Sequence, residues 1–493
     1  MNLPKKFFLD QHGCAKNQVD GELIVTRLLN KGLVQTFEPN EADFIIINSC
    51  GFIESAKKES LDALYFAKKS YSKAKVVLAG CLAERYSELF KENLPEADAI
   101  FGNGDISKLD EIFESLDRNE RPVEIYKQQG VCCGERKVLL GYRGSAFVKI
   151  TEGCSNHCSF CAIPLIRGEN RSRNSQEIIR EIKNLISQGV VEINLIGQDL
   201  AAYGTGIGDN VFGDGTFPLP KMTAICGENS VSGRSGLSRL LEEISKISGD
   251  FRVRLLYIHP DHFNEDIFPV MQKDKRLLPY FDIPFQSGDD SIILSMNRKG
   301  NASLYEKLIA EIRAKLPGAV IRTTFLTGFP GETDENAENT VRFLEKIRSD
   351  WSGCFPYSRE EDTPAYNFKK RVSSKIAKER AQRLTEIQQI ITRESLSKYT
   401  GTEIEVLIEE IVEGDEGIAI GRAWFQAPDV DGNIVVRYDR DNSEENNAVK
   451  TGKIVRVKVT SSSDVDLDSV FLSVLNQKDG INEDLQYATE LQG

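Results

Sequence analysis

Two tryptophans, four methionines, four histidines and sixteen prolines are all that 493 residues contain of these types. So little proline, with 40% hydrophobic residues and no low-complexity tract, excludes a disordered or fibrous chain. No apolar run approaches the roughly 20 residues of a membrane span. The start, MNLPKKFF, lacks the apolar stretch and small-residue cleavage site of a signal peptide. A cytoplasmic protein with no membrane partner is the expectation. Ten cysteines are too few for a disulfide framework in a chain of this length, so in a reducing compartment their clustering reads as metal or redox chemistry. Excess positive charge is missing too. The net charge is −13, and residues 401–493 carry −12 of it, with 20 acidic against 8 basic residues. Direct RNA binding, which wants a basic surface, is not expected.

At roughly 100–200 residues per domain, this length suggests about three domains. The periodicities agree, predicting an α/β multidomain protein. In residues 1–120, KKFFLD, ADFIIINS, AKVVLAG and ADAIFG read as strands alternating with helices such as DGELIVTRLLNKG, the pattern of an open parallel sheet. Residues 121–145 read as a linker. From AFVKI a second strand-helix series runs over 146–398, with VEINLIG, FRVRLLYI, LPYFDIPF and AVIRTTF as later strands, predicting a partial or full β/α barrel. The stretch at about 204–236 reads as a surface insertion, and its Cys226 as unrelated to the main chemistry. Residues 375–398 form a charged helix. Short alternating runs over 399–475 predict a small antiparallel β-barrel of OB-like size, followed by a tail at 476–493.

Cysteines fall at telling places. Cys14, Cys50 and Cys81 each follow a strand, and in a parallel sheet all three emerge at the carboxyl edge, where such sheets place ligands. As single residues they could equally be core. Cys154, Cys158 and Cys161 form a CxxxCxxC directly after the first strand of the second domain. Three thiolates can hold three irons of a cubane and leave the fourth open, whereas ferredoxin sites use four cysteines per cluster. Structural zinc is the competing reading, but His157 directly precedes Cys158 and is poorly placed to close one tetrahedron. Cys132, Cys133 and Cys354 read as small buried hydrophobes or free thiols.

CxxxCxxC with Phe160 before its last cysteine resembles the motif of the radical S-adenosylmethionine (SAM) enzymes. The resemblance implies a 4Fe-4S cluster whose open iron is chelated by SAM, and reductive cleavage of SAM to a radical that abstracts hydrogen from an unactivated carbon. With the second trio and the C-terminal β-domain, which would be a TRAM domain, the chain is similar to the methylthiotransferases. That implies a second, auxiliary 4Fe-4S cluster on Cys14, Cys50 and Cys81, and an electron donor such as flavodoxin or ferredoxin. Gly197-Gln198-Asp199, Tyr257 with His259-Pro260, Asp282 to Gln286 and Gly328 to Thr333 resemble segments lining the SAM or substrate cavity. Gln198, Asp199 and Gln286 are thus candidate cofactor contacts, with barrel-end capping as the alternative. Ser287 stands where the family commonly has histidine and is assigned no role. Arg167, Arg171 and Arg173 could contact the SAM carboxylate or an acidic substrate, or form a solvated face.

The family has two branches, one modifying a transfer RNA adenosine and one the β-carbon of an aspartate in small-subunit ribosomal protein S12. An acidic β-domain repels RNA and attracts a basic ribosomal protein or the small ribosomal subunit, though the same acids could merely keep it soluble. The segments Gly13 to Asn17, Asn48 to Ile53 and Gly421-Arg422 through Gly432 resemble the ribosomal-protein branch. Trp424 and Phe425 are either a partner contact or domain core. Besides that branch, transfer RNA methylthiolation and a non-catalytic iron-sulfur carrier are the alternatives.

Overall fold

The computed structural model describes residues 4–126, 131–206, 208–213, 234–414, 417–475 and 486–487. The first sheet is wholly parallel. It contains β1 (Lys6–Gln11), β2 (Val34–Gln35), β3 (Phe44–Ser49), β4 (Lys75–Gly80), β5 (Ala99–Phe101) and β6 (Val123–Glu124), in the spatial order β2-β1-β3-β4-β5-β6. All six residues of β3 are buried, as a central strand covered on both faces requires. Helices α1 (Ala15–Asn30), α2 (Glu54–Ser70) and α3 (Cys81–Asn93) make the crossovers. The two-residue edge strands β2 and β6 are too short to leave an apolar run in the sequence.

A second parallel sheet of six strands follows in sequential order: Ser145–Lys149, Glu192–Ile196, Arg252–Leu255, Leu277–Asp282, Val320–Thr327 and Trp351–Pro356. This is a partial β/α barrel. Alternate residues along its strands face opposite ways. Val148, Ile193, Leu195, Val253 and Phe281 pack under the surrounding helices, while Phe147, Ile196, Leu278, Tyr280 and Trp351 face the concave side and share a core with the two other domains. The sixth strand, Trp351–Pro356, goes unrecognised in the sequence because WSGCFP has neither alternation nor a β-branched run.

Helix Ser374–Ser397 leads to a closed five-stranded barrel of Glu403–Ile411, Ile418–Arg422, Ile434–Arg437, Ile454–Ser462 and Leu467–Val474. Its pairings are antiparallel except Ile434–Arg437 with Leu467–Val474. This barrel stops the concave side of the partial barrel. Phe425 stacks on Tyr399 and is buried, its carbonyl accepting from Trp351 Nε1 at 2.9 Å, while Arg254 Nη1 donates to the Trp424 carbonyl at 2.7 Å. Phe425 is thus core, and half-buried Trp424 packs beside it.

The polar stretch before the barrel is not a free tether. Val123–Glu124 joins the first sheet, and Val138–Leu139 pairs in parallel with Gln486–Tyr487. Buried Arg136 bonds Glu22 at 2.6 Å and Glu181 at 2.5 Å, tying α1 to helix Ser175–Ser187. Most of the expected insertion, with Cys226, lies outside the described residues. Among those described, no helix is long and apolar enough to cross a membrane.

Candidate active site at the domain junction

Cys14 sits at the N-cap of α1, Cys50 just past β3 and Cys81 on the first residue of α3, at one edge of three adjacent strands. Their loops are pressed together. A Cβ on Gly13, whose φ is +89°, would stand 3.0 Å from the Cβ of Cys50, and one on Gly51 would stand 2.7 Å from the Cys81 carbonyl oxygen. Only glycine permits that approach. Asn17 and Asn48 clasp the first two loops, with Asn17 Nδ2 donating to the Asn48 carbonyl at 3.1 Å and Asn48 Nδ2 to the Asn17 carbonyl at 2.8 Å. Burial opposes ionisation of Cys14, but Lys16, Arg167 and the N–H groups of Asn17 and Lys16 bring its thiol below the ordinary value. For Cys50 the Phe52 N–H and Arg167 do not offset burial, which with Cys81 adding pushes it up to about 12.

The second trio lies on the loop after strand Ser145–Lys149. Burial raises Cys154, with Asp199 adding to the effect, and pushes Cys161 up to about 12, with Cys158 adding. Cys158 Sγ is 3.8 Å from His259 Nε2. Buried thiols so reluctant to ionise need a cationic centre to become thiolate ligands. Among the described residues, no three His, Cys, Asp or Glu side chains converge as ligands of a single ion. His157, the residue that would have to close a zinc tetrahedron, is exposed and faces Glu169 at 3.4 Å. Three thiols on one loop match the ligand set of a cubane, in which each sulfur would take a different iron.

Beside Cys154 is a cavity of about 170 Å³ lined by Asn156, Asn170, Asp199, His259, His262 and Asn297, among others. Asp199 Oδ1 accepts from the N–H groups of Ala201 at 3.1 Å and His259 at 3.2 Å, and its Oδ2 faces His262 Nδ1 at 2.5 Å and accepts from Asn156 Nδ2 at 3.1 Å. Burial works against the Asp199 carboxylate, yet His262 and these donors bring it down to about 2. Several buried polar atoms near the strand ends lack protein partners: Gln198 Oε1, Asn170 Oδ1, Thr151 Oγ1 and Tyr357 Oη. Orphaned acceptors and hydroxyls of this kind fit a polar ligand such as SAM. Tyr257 and Gln286 adopt positive φ, +70° and +71°, strained backbone at the same barrel mouth. Ser287 bonds Thr340 and is buried away from it.

The two trios are neighbours. Cys81 packs in one small buried cluster with Ala162 and Ile166, the former adjacent to Cys161. Arg167 ends the helix Ile163–Arg167, and its guanidinium points into the junction, donating to Cys81 Sγ at 3.1 Å and Asp20 at 2.9 Å and also bonding Glu152. Lys149 completes this buried foursome, 2.5 Å from Asp20 and 3.1 Å from Glu152. Arg173 is committed to Glu181 and Glu177, and Arg171 donates to the carbonyls of Arg167 and Glu169. Above the junction, Arg85 Nη1 bonds the Gly51 carbonyl at 2.9 Å and Glu360 at 2.7 Å, while Lys57 bonds Glu360 at 3.0 Å and Glu361 at 3.2 Å.

Sequence reasoning passed over Asp20, Lys149, Glu152, Arg85, Glu360 and His262. The available signal was charge on otherwise apolar faces: Asp20 and Glu22 fall on the buried side of α1. Cys132 is half-buried, its thiol 3.5 Å from the Asn103 carbonyl, Cys133 is exposed, and Cys354 is half-buried on the sixth barrel strand.

Two cysteine trios meeting at the mouth of a six-stranded partial barrel define a radical SAM protein of methylthiotransferase architecture. Three family models match in turn: uncharacterized protein family UPF0004 over residues 6–102, the radical SAM superfamily over 148–344 and the TRAM domain over 400–471. The relatives carry the same organisation. A protein of Treponema denticola named ribosomal protein uS12 methylthiotransferase RimO is 48% identical across 94% of this chain and 100% of its own length. Proteins of the same name from Aquifex aeolicus, 38% identical over 92% of this chain and 94% of theirs, and Clostridioides difficile, 37% identical over 94% and 98%, agree. The chain belongs to the RimO family of methylthiotransferases, enzymes that use an iron-sulfur cluster and SAM.

Proposed function

We propose that this enzyme adds a methylthio group to the β-carbon of an aspartate in ribosomal protein S12, using two 4Fe-4S clusters. Cys154, Cys158 and Cys161 hold the cluster that binds SAM, and Cys14, Cys50 and Cys81 hold the auxiliary one. Gln198, Asp199 and Gln286 line the SAM site, while Arg167 serves the junction. The carrying observation is the contact of Cys81 with Ala162 and Ile166, which sets the trios side by side.

When bound, the clusters and SAM supply radical chemistry and transferable sulfur, which a β-carbon hydrogen beside an ionised carboxylate requires because an ordinary base cannot remove it. The protein's part is placement. Asp199, held ionised by His262, fixes Asn156 in the cluster loop and the backbone at His259. The ion pairs of Arg85, Lys57 and Glu360 hold the two domains closed over the junction and keep water from it. Outside the site, exposed Glu403, Glu410, Glu413, Asp439, Asp441, Glu444 and Asp464 outnumber exposed Arg437, Arg440, Lys450, Arg456 and Lys458 on the C-terminal barrel, an acidic excess suited to a basic ribosomal protein or the small subunit carrying it. A flavodoxin or ferredoxin of the cytoplasm is the proposed electron donor.

The test incubates reduced, anaerobically reconstituted protein with SAM and either S12 or transfer RNA. About eight irons per chain, 5′-deoxyadenosine release and a methylthio mass addition on one S12 aspartate are expected. About four irons, or addition to transfer RNA, would overturn the cluster count or the substrate respectively, and no 5′-deoxyadenosine would leave a mere carrier.

A further inference from the structure

The concave side of the partial barrel is filled with charge, and nearly all of it is neutralised in place. Lys149 and Arg167 share Asp20 and Glu152. Arg254 and Arg422 share Glu192, with Glu409 also on Arg422. Arg322 lies 3.2 Å from Asp282 and 3.3 Å from Asp431. Lys16 is different. It is 8% exposed, and among the described residues its ammonium makes neither an ion pair nor a hydrogen bond. It rests 3.2 Å from the centroid of the Tyr257 ring.

A ring face repays only part of what an ammonium loses on leaving water, and Cys14 and Asp282 act on it through space without a direct contact, so the ammonium keeps room for a directly bonded anion. Its place says which kind. Lys16 lies two residues past Cys14, on the first turn of α1, while the Tyr257 beneath it follows the third barrel strand by two residues, with strained backbone. The cation therefore stands where the N-terminal trio meets the barrel mouth. An aspartate modified at its β-carbon carries a carboxylate one bond from the reacting atom, and a single fixed cation suffices to orient it.

We propose that the Lys16 ammonium anchors the side-chain carboxylate of the substrate aspartate, selecting an acidic side chain and turning its β-carbon toward the junction of the two trios. This rests on the S12 reading above. Tyr257 is the platform that holds the ammonium in place while the site is empty of substrate.

Affinities of the reconstituted holoenzyme are measured for S12 carrying the target aspartate and for its Asp→Asn variant. The wild-type enzyme binds the aspartate form about ten- to a hundredfold tighter, the worth of a charge-assisted hydrogen bond. Lys16→Met and Lys16→Gln lose that preference and Lys16→Arg keeps part of it, with iron content and the spectra of the reduced clusters unchanged in all three. Equal affinity of the wild-type enzyme for both S12 forms overturns the proposal without recourse to any variant. So does a Lys16→Met enzyme that keeps the preference, or one that loses the N-terminal cluster, since Lys16 would then be a counter-charge for iron. In each of those cases S12 is still methylthiolated by the wild-type enzyme. If it is not, the substrate reading has failed instead.

Discussion

Arg167 Nη2 donates to Cys81 Sγ across a domain boundary, 3.1 Å from a residue 86 positions earlier in the chain. The arginine closes the loop that carries the second trio, so any shift of that loop is felt at the first. Removing this cation leaves Asp20 and Glu152 buried with only Lys149 between them. Breaking such a buried network costs about 3–5 kcal/mol. Arg167→Met is expected to lower unfolding stability by that amount and to lose iron from the N-terminal site first. Denaturant melts and iron analysis check both, and a variant retaining full iron and stability would refute the linkage.

Arg85 and Glu360 form a second bridge between these domains, 2.7 Å long and almost fully buried at both ends. Arg85 also holds the carbonyl of Gly51, next to Cys50. A double-mutant cycle of Arg85→Met and Glu360→Gln is expected to give a coupling energy of about 2 kcal/mol or more, well above the value for exposed pairs. Glu360→Gln alone should also make the segment 50–57 more susceptible to hydrogen exchange, because both Lys57 and Arg85 lose their common carboxylate.

Much of this is legible in the sequence. Long buried strands such as FIIINS and the cysteines that end them announce themselves by apolar runs and spacing, and the glycines and asparagines beside Cys14 and Cys50 fall inside recognisable motifs. What could not be read is how the domains lock together. Asp20 stands out only as a charge on an apolar helix face, Lys149, Glu152 and Arg167 look like ordinary surface charges in their own segments, and only tertiary contact between residues up to 147 positions apart makes them one network. The same holds for Trp424 and Phe425, whose burial depends on a partial barrel that local pattern cannot place above them. Edge strands of two residues and the irregular WSGCFP fail for the opposite reason, having too little pattern to detect.

Gly51 gives a purely steric prediction. An added methyl group would stand 2.7 Å from the Cys81 carbonyl oxygen and 2.9 Å from the Cα of Leu82, both backbone atoms that cannot swing aside. Gly51→Ala should push the Cys50 loop off α3 and roughly halve the iron bound after reconstitution, sparing the site of Cys154, Cys158 and Cys161. 5′-Deoxyadenosine release should persist while methylthio transfer is lost. Loss of both activities together would show that the two sites do not assemble independently.

The docking of the C-terminal barrel should be acid-sensitive through Glu192. Burial opposes ionisation of this carboxylate, but Arg422 from the C-terminal barrel and Arg254 beside it bring it down from 4.5 to about 2. A depressed carboxylate stabilises the fold above its unfolded value and ceases to do so as pH falls through the folded one. Glu192 therefore contributes its full share, about 3 kcal/mol, above about pH 5. More than half of this is lost by about pH 3. Urea melts of wild type and Glu192→Gln at pH 7, 5 and 3 should show a stability gap that is steady between the first two and shrinks at the third. A gap that stays constant to pH 3 would mean that Glu192 carries no such linkage, and that its two arginines are held by Glu409 and backbone carbonyls alone.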